Sequence, residues 1–186
     1  MAGNTENSGG RRGSRWRIAA WGTAALMLLL PLIAMQITDE VNWGVADFVL
    51  FGAMLAGAGG TFELAARMTG NHAYRAAVGV ALAAAFILVW MNLAVGIIGS
   101  EENRANLMYG GVLAVGIIGA VIARFQPHGM ARALVGTAVA QALVAVIALI
   151  AGWGYASVLT LLTGFFVGLW LISAWLFRKA YVGQPT

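Results

Sequence analysis

The sequence predicts an all-α integral membrane protein, a bundle of six transmembrane helices with both termini cytoplasmic. Three observations carry that expectation. Hydrophobic residues make up 61% of the 186, charged residues only 10%, and the mean hydropathy is +0.83. Soluble domains carry about 25% charged residues, so a water-facing surface cannot be assembled here and lipid must be the solvent. The apolar residues fall into six runs of about 20, the length that crosses a bilayer as helix. The charges sit between these runs and alternate in sign from one turn to the next.

Residues 1–15 are polar and Gly-rich, unable to bury a core, and read as a disordered cytoplasmic tail. Arg11 and Arg12 invite a twin-arginine export reading. The apolar run that follows is longer than a signal peptide's core and lacks a small-x-small cleavage site. It reads as an uncleaved first span, 17–37, with Trp16 and Trp21 at the interface and Pro31 a source of kinking. Thr38-Asp39-Glu40-Val41-Asn42 is a short acidic turn.

Span 2 is expected over 43–66, crowded with small residues from Gly52 to Gly60. A loop, Met68–Tyr74, leads to span 3 over 76–98. The polar turn Ser100–Asn106, with Ser100 as its capping residue and Trp90 and Tyr109 as interfacial anchors, leads to span 4 over 107–125. A loop, Gln126-Pro127-His128-Gly129, precedes span 5 over 131–151. Gly152-Trp153-Gly154 makes a tight turn, and span 6 over 155–177 closes with Arg178-Lys179. The membrane domain is thus 16–180, and 181–186 a short cytoplasmic tail.

Ten of the eleven Lys and Arg fall on one side of these spans, with Arg104 the exception beside Asp39, Glu40, Asp47, Glu101 and Glu102. The basic side is expected to be cytoplasmic. That distribution also accounts for the net charge of +4 without a nucleic-acid-binding patch.

An internal repeat supports a bundle built from helical hairpins. Ala66-Arg67 followed by Arg75-Ala76-Ala77-Val78-Gly79 recurs 57 residues later as Ala123-Arg124 and Arg132-Ala133-Leu134-Val135-Gly136. Lipid gives helices no hydrophobic reason to associate, so small-residue stripes must let backbones approach. Gly52/Ala56/Gly60, Ala77/Ala81/Ala85, Gly136/Ala140 and Gly164/Gly168 supply them, the first and last also suiting a second subunit.

Polar side chains inside spans are costly unless partnered, and so are the natural functional candidates. Gln141 lies nearest the midplane of its span, Asn92 in the outer part of span 3, and Thr160 and Thr163 in the outer half of span 6. They either line a path for a neutral solute or tie helices together; Thr23 and Thr137 are weighed the same way. Glu63 stands four residues before Arg67, the spacing of a helical ion pair. His72 and His128 occupy corresponding loops, but no acid or cysteine accompanies them at metal spacing.

There is no cysteine, which excludes thiol, disulfide and iron–sulfur chemistry. No nucleophile elbow, metalloprotease helix or phosphate loop is present, and no catalytic set, cofactor or metal is expected. The overall look is of small multi-pass proteins of bacterial inner membranes, with no family motif. The expected function is a non-enzymatic accessory or structural component of a membrane complex, with membrane lipids and other membrane subunits or further copies of itself as partners. The alternative is a small permease or channel for a neutral or lipophilic solute.

Overall fold

The computed structural model describes residues 8–39 and 41–183. Among these the chain is helical with no strand, and six helices are long and apolar enough to cross a membrane. They are α1 (Ser8–Ile37), α2 (Val45–Met68), α3 (His72–Ala94), α4 (Met108–Ile122), α5 (Pro127–Ile150) and α6 (Ala156–Val182), with a 3-10 turn at Arg104–Leu107 leading into α4.

The start of α1 at Ser8 falls inside the tail expected for 1–15, of which residues 1–7 lie outside the described residues. Glu40 of the acidic turn and residues 184–186 of the C-terminal tail also lie outside them. Helix continues through Pro31 to Ile37.

Span ends differ from the sequence expectation where capping outweighs hydropathy. Helix α3 begins at His72, four residues early, because the Asn71 side chain accepts hydrogen bonds from the Ala73 and Tyr74 amides at 2.9 and 3.2 Å. It stops at Ala94, four residues early, with Gly96 and Gly99 turning the chain at φ +67° and +76°. Pro127 opens α5 at its first turn, where a missing N–H costs nothing, so His128 and Gly129 are helix rather than loop. Helix α4 ends with Arg124 and Phe125 both left-handed, at φ 48° and 58°. Non-glycine residues there carry a strain of about 1–2 kcal/mol each. The Tyr74 hydroxyl donates to the Phe125 carbonyl at 2.8 Å, holding that turn on α3.

The chain divides into two compact units between Thr61 and Phe62. In the first, Gly52 of α2 faces Leu28 of α1, and Gly59 faces the Trp21 ring, 3.5 Å from where a Cβ would stand.

The second unit holds the last two turns of α2 and α3 to α6. Within it α5 packs on both α4 and α6, and α6 packs on α3. Its core runs through the inner faces of these helices, where Ala77, Ala84, Leu88, Phe166 and Phe177 have no exposed surface. Small residues set the spacing: a Cβ on Gly119 would stand 2.7 Å from Ala133 Cβ, and one on Gly129 2.6 Å from Ala123 Cβ. The α4–α5 hairpin is that close because those positions are glycine.

Arg75 belongs to this unit as a structural group. Its Nη2 donates to the Ala66 carbonyl at 2.6 Å and its Nε to the Thr69 carbonyl at 2.8 Å, satisfying orphan groups at the end of α2.

Candidate functional site

The unit of α3 to α6 carries two features: a cleft at the end of α3, and a set of buried unpartnered polar groups. The cleft has a volume of about 410 Å3 and lies between the C-terminal end of α3 and the start of α4.

One side chain builds its frame. Asn106 is 7% exposed, and its Oδ1 accepts from the Ile97 and Ile98 amides at 3.1 and 2.9 Å. Its Nδ2 donates to the Ser100 carbonyl at 2.6 Å. The Asn106 carbonyl accepts from Asn92 Nδ2 at 3.2 Å. A short side-chain amide thus does for residues 97–100 what a sheet partner would do, and lets the buried Ile97 and Ile98 turn inward without stranded N–H groups. Gly154 packs against the same loop, where a Cβ would stand 2.9 Å from the Gly99 nitrogen.

The sequence reading treats Ser100–Asn106 as a solvated connector capped by Ser100. The cap of the 3-10 turn is instead Asn103, whose side chain accepts from the Ala105 amide at 3.0 Å, and Asn106 is buried. Nor is Tyr109 an interfacial anchor: it is 1% exposed, with its hydroxyl buried and unpartnered. Its first turn of α4 faces inward, which no local pattern records.

The other unpartnered atoms follow at successive heights. Asn92 Oδ1, Tyr109 OH, Gln141 Oε1 and Nε2, Thr163 Oγ1 and Trp170 Nε1 are all buried without a hydrogen-bond partner. Helix register orders them. Ser173 bonds to Ala77, which places Trp170, one turn away, near Val80 of α3. Asn92 stands twelve residues beyond Val80, roughly 18 Å along the axis. The His128 ring lies 5.3 Å from Tyr181 and the Gly152–Gly154 turn closes the other end, so Gln141 stands level with Phe166 of α6. Gly116 faces Thr137 across α4 and α5, which puts Gln141 near Val112, one turn from Tyr109. By height along the helices the order is therefore Asn92, then Tyr109 and Thr163, then Gln141, then Trp170.

Of the residues singled out in the sequence, Gln141, Thr163 and Asn92 belong to this series, and Gln141 is fully buried. Thr160 is exposed and stands apart. Glu63 pairs with Arg67 at 2.6 Å near the opposite end of α3 from Asn92. Thr137 and Thr23 bond back to carbonyls of their own helices, at 3.0 and 2.9 Å, rather than to a neighbouring helix. Ser173 and Trp170 were not singled out. A lone serine or tryptophan inside an apolar run gives no periodic signal, and only packing shows which face it takes.

Among the described residues no group of three or more His, Cys, Asp or Glu side chains is placed to hold a metal ion. His72 is exposed at the start of α3, and His128 is exposed against the Tyr181 ring. Compared with protein-family models, curated proteins and solved structures, the chain gives no match.

The chemistry such a series offers is hydrogen bonding without charge. Two amides, two hydroxyls and an indole can exchange bonds with a neutral polar molecule, and none of them is a nucleophile paired with a base.

Proposed function

We propose that this chain is a six-span protein of a bacterial inner membrane, with both termini cytoplasmic, whose α3–α6 unit holds or passes a small neutral solute without covalent chemistry. The alternation of basic and acidic turns supports the orientation. The 57-residue recurrence supports an origin in repeated hairpins. The two copies have since diverged in contact, because Arg75 caps α2 while Arg132 makes no side-chain hydrogen bond among the described residues.

One observation carries the solute reading. Gln141 has no exposed surface, and both polar atoms of its amide lack partners. Burying an amide unpaired costs several kcal/mol in an apolar medium, and a leucine of similar size would avoid that cost. An amide held there is accounted for when a bound molecule completes its hydrogen bonds.

The accessory-component reading retains one specific support. No heavy atom stands within 4 Å of a Cβ built on Gly164 or Gly168, so that face of α6 can receive a close-packed helix.

Stopped-flow light scattering on proteoliposomes tests the solute reading with water, glycerol and urea as probes. Permeability to at least one should exceed that of protein-free vesicles and fall to their level with Gln141→Leu. Wild-type vesicles no more permeable than protein-free ones to all three would end this reading. Native mass spectrometry of gently extracted protein would then be expected to show stoichiometric partner subunits.

A further inference from the structure

The cleft at the end of α3 presents a charge and hydrogen-bond pattern of its own, separate from Gln141. Its 410 Å3 falls in the range of small-ligand sites. Leu88, Val89 and Leu113 make its walls apolar. Asn92 and Tyr109 also line it; Asn92 Oδ1 and the Tyr109 hydroxyl, on a side chain 1% exposed, are buried without partners. Because Asn92 Nδ2 is held by the Asn106 carbonyl, the amide is oriented and its free atom is an acceptor.

The rim adds charge. Glu101, Glu102 and Arg104 line the cleft and are exposed, and none makes an ion pair or side-chain hydrogen bond among the described residues. Two carboxylates and one guanidinium, unspent on each other, match a zwitterion with a cationic and an anionic end. Leu93 and Leu107 also line the cleft yet stay 52% and 77% exposed, so an apolar chain leaving it would lie across them.

We propose that this cleft binds the headgroup of an aminophospholipid. The primary ammonium sits between Glu101 and Glu102, the phosphate meets Arg104, and the acyl chains run over Leu93 and Leu107. A choline headgroup has no N–H to give the two carboxylates, and a glycerol headgroup brings them no cation. This rests on the membrane-spanning reading and is independent of any solute passing Gln141.

Native mass spectrometry of the full-length chain with equal amounts of phosphatidylethanolamine, phosphatidylcholine and phosphatidylglycerol of matched chain length tests it. Phosphatidylethanolamine should be retained about tenfold over the other two, the worth of one charge-assisted hydrogen bond. The double variant E101Q/E102Q, at exposed positions that bond to nothing in the fold, should lose that preference. Equal retention of all three lipids, or a preference surviving E101Q/E102Q, would overturn the proposal. Displacement of the lipid by an equal concentration of soluble phosphoethanolamine would overturn the lipid as the source. No flux enters this measurement, so failure of the solute reading leaves its outcome interpretable.

Discussion

The Ser173 hydroxyl on α6 donates to the Ala77 carbonyl on α3 at 2.7 Å, with neither residue exposed beyond a trace. It is the kind of bond that holds helices together where lipid surrounds them. Ser173→Ala should cost about 1 kcal/mol, the range for interhelical bonds in a bilayer. Thr160→Ala, at an exposed position, should stay within about 0.5 kcal/mol. Reversible unfolding in mixed micelles distinguishes them, and equal effects would remove Ser173 from its assigned role.

Asn106→Ala should be far more damaging. It strands the Ile97 and Ile98 amides together, while the Ser100 carbonyl keeps the Asn103 amide as a donor. At about 1–3 kcal/mol for each buried amide left unpaired, a loss of about 2–6 kcal/mol is expected. Hydrogen exchange at Ile97 and Ile98 reads this directly, and unchanged protection would show that the loop does not depend on Asn106.

At Gln141 the direction reverses. Gln141→Leu removes two unpartnered buried atoms at nearly constant volume, and should leave stability equal or raise it by about 1–2 kcal/mol. Gln141→Ala leaves a cavity in the packed core and should cost about 2–4 kcal/mol. A clear loss of stability in Gln141→Leu would mean that the amide is bonded within the fold.

The glycines divide into two classes. Gly119→Ala and Gly129→Ala push a methyl to within 2.7 and 2.6 Å of neighbouring Cβ atoms, and each should cost about 1–3 kcal/mol by forcing α4 and α5 apart. Gly164→Ala meets nothing within 4 Å and should be tolerated by the fold. If the α6 face receives another subunit, Gly164→Leu should weaken that association while leaving the monomer stable, as read by native mass spectrometry.

Orientation can be measured cleanly because the chain has no cysteine to remove. A cysteine at Asn103 should react with a membrane-impermeant maleimide from the periplasmic side only. One at Arg178 should react only after permeabilisation. The opposite pattern would invert the topology.

The positions of the six helices were legible because each must be apolar for its whole length, a requirement that leaves its mark on composition. Their ends were less so. Helix α3 lies four residues from its expected place at both ends, since Asn71 captures two amides and Gly96 turns left-handed. Hydropathy averages over such single-residue effects.

The candidate site was half legible. Gln141, Asn92 and Thr163 stand out as polar letters in apolar runs, and depth follows from counting rises along a helix. Their partners do not, because partnering depends on which face of each helix meets which neighbour. Thr137 and Thr163 look alike in sequence, yet one bonds to its own helix and the other to nothing. Tyr109 and Asn106 look like interface and turn, yet both are buried.

By itself the sequence determined an all-helical chain with six helices long and apolar enough to cross a membrane, because burying backbone in an apolar medium demands helices and long apolar runs. Only the tertiary structure decided that Asn106 frames a cleft, that Ser173 ties α6 to α3, and that Gln141 and Tyr109 are buried with their polar atoms unpartnered. Those facts depend on rotation and register between helices. Apolar faces of nearly uniform composition leave both undetermined, and close packing at glycines such as Gly119 and Gly129 selects them.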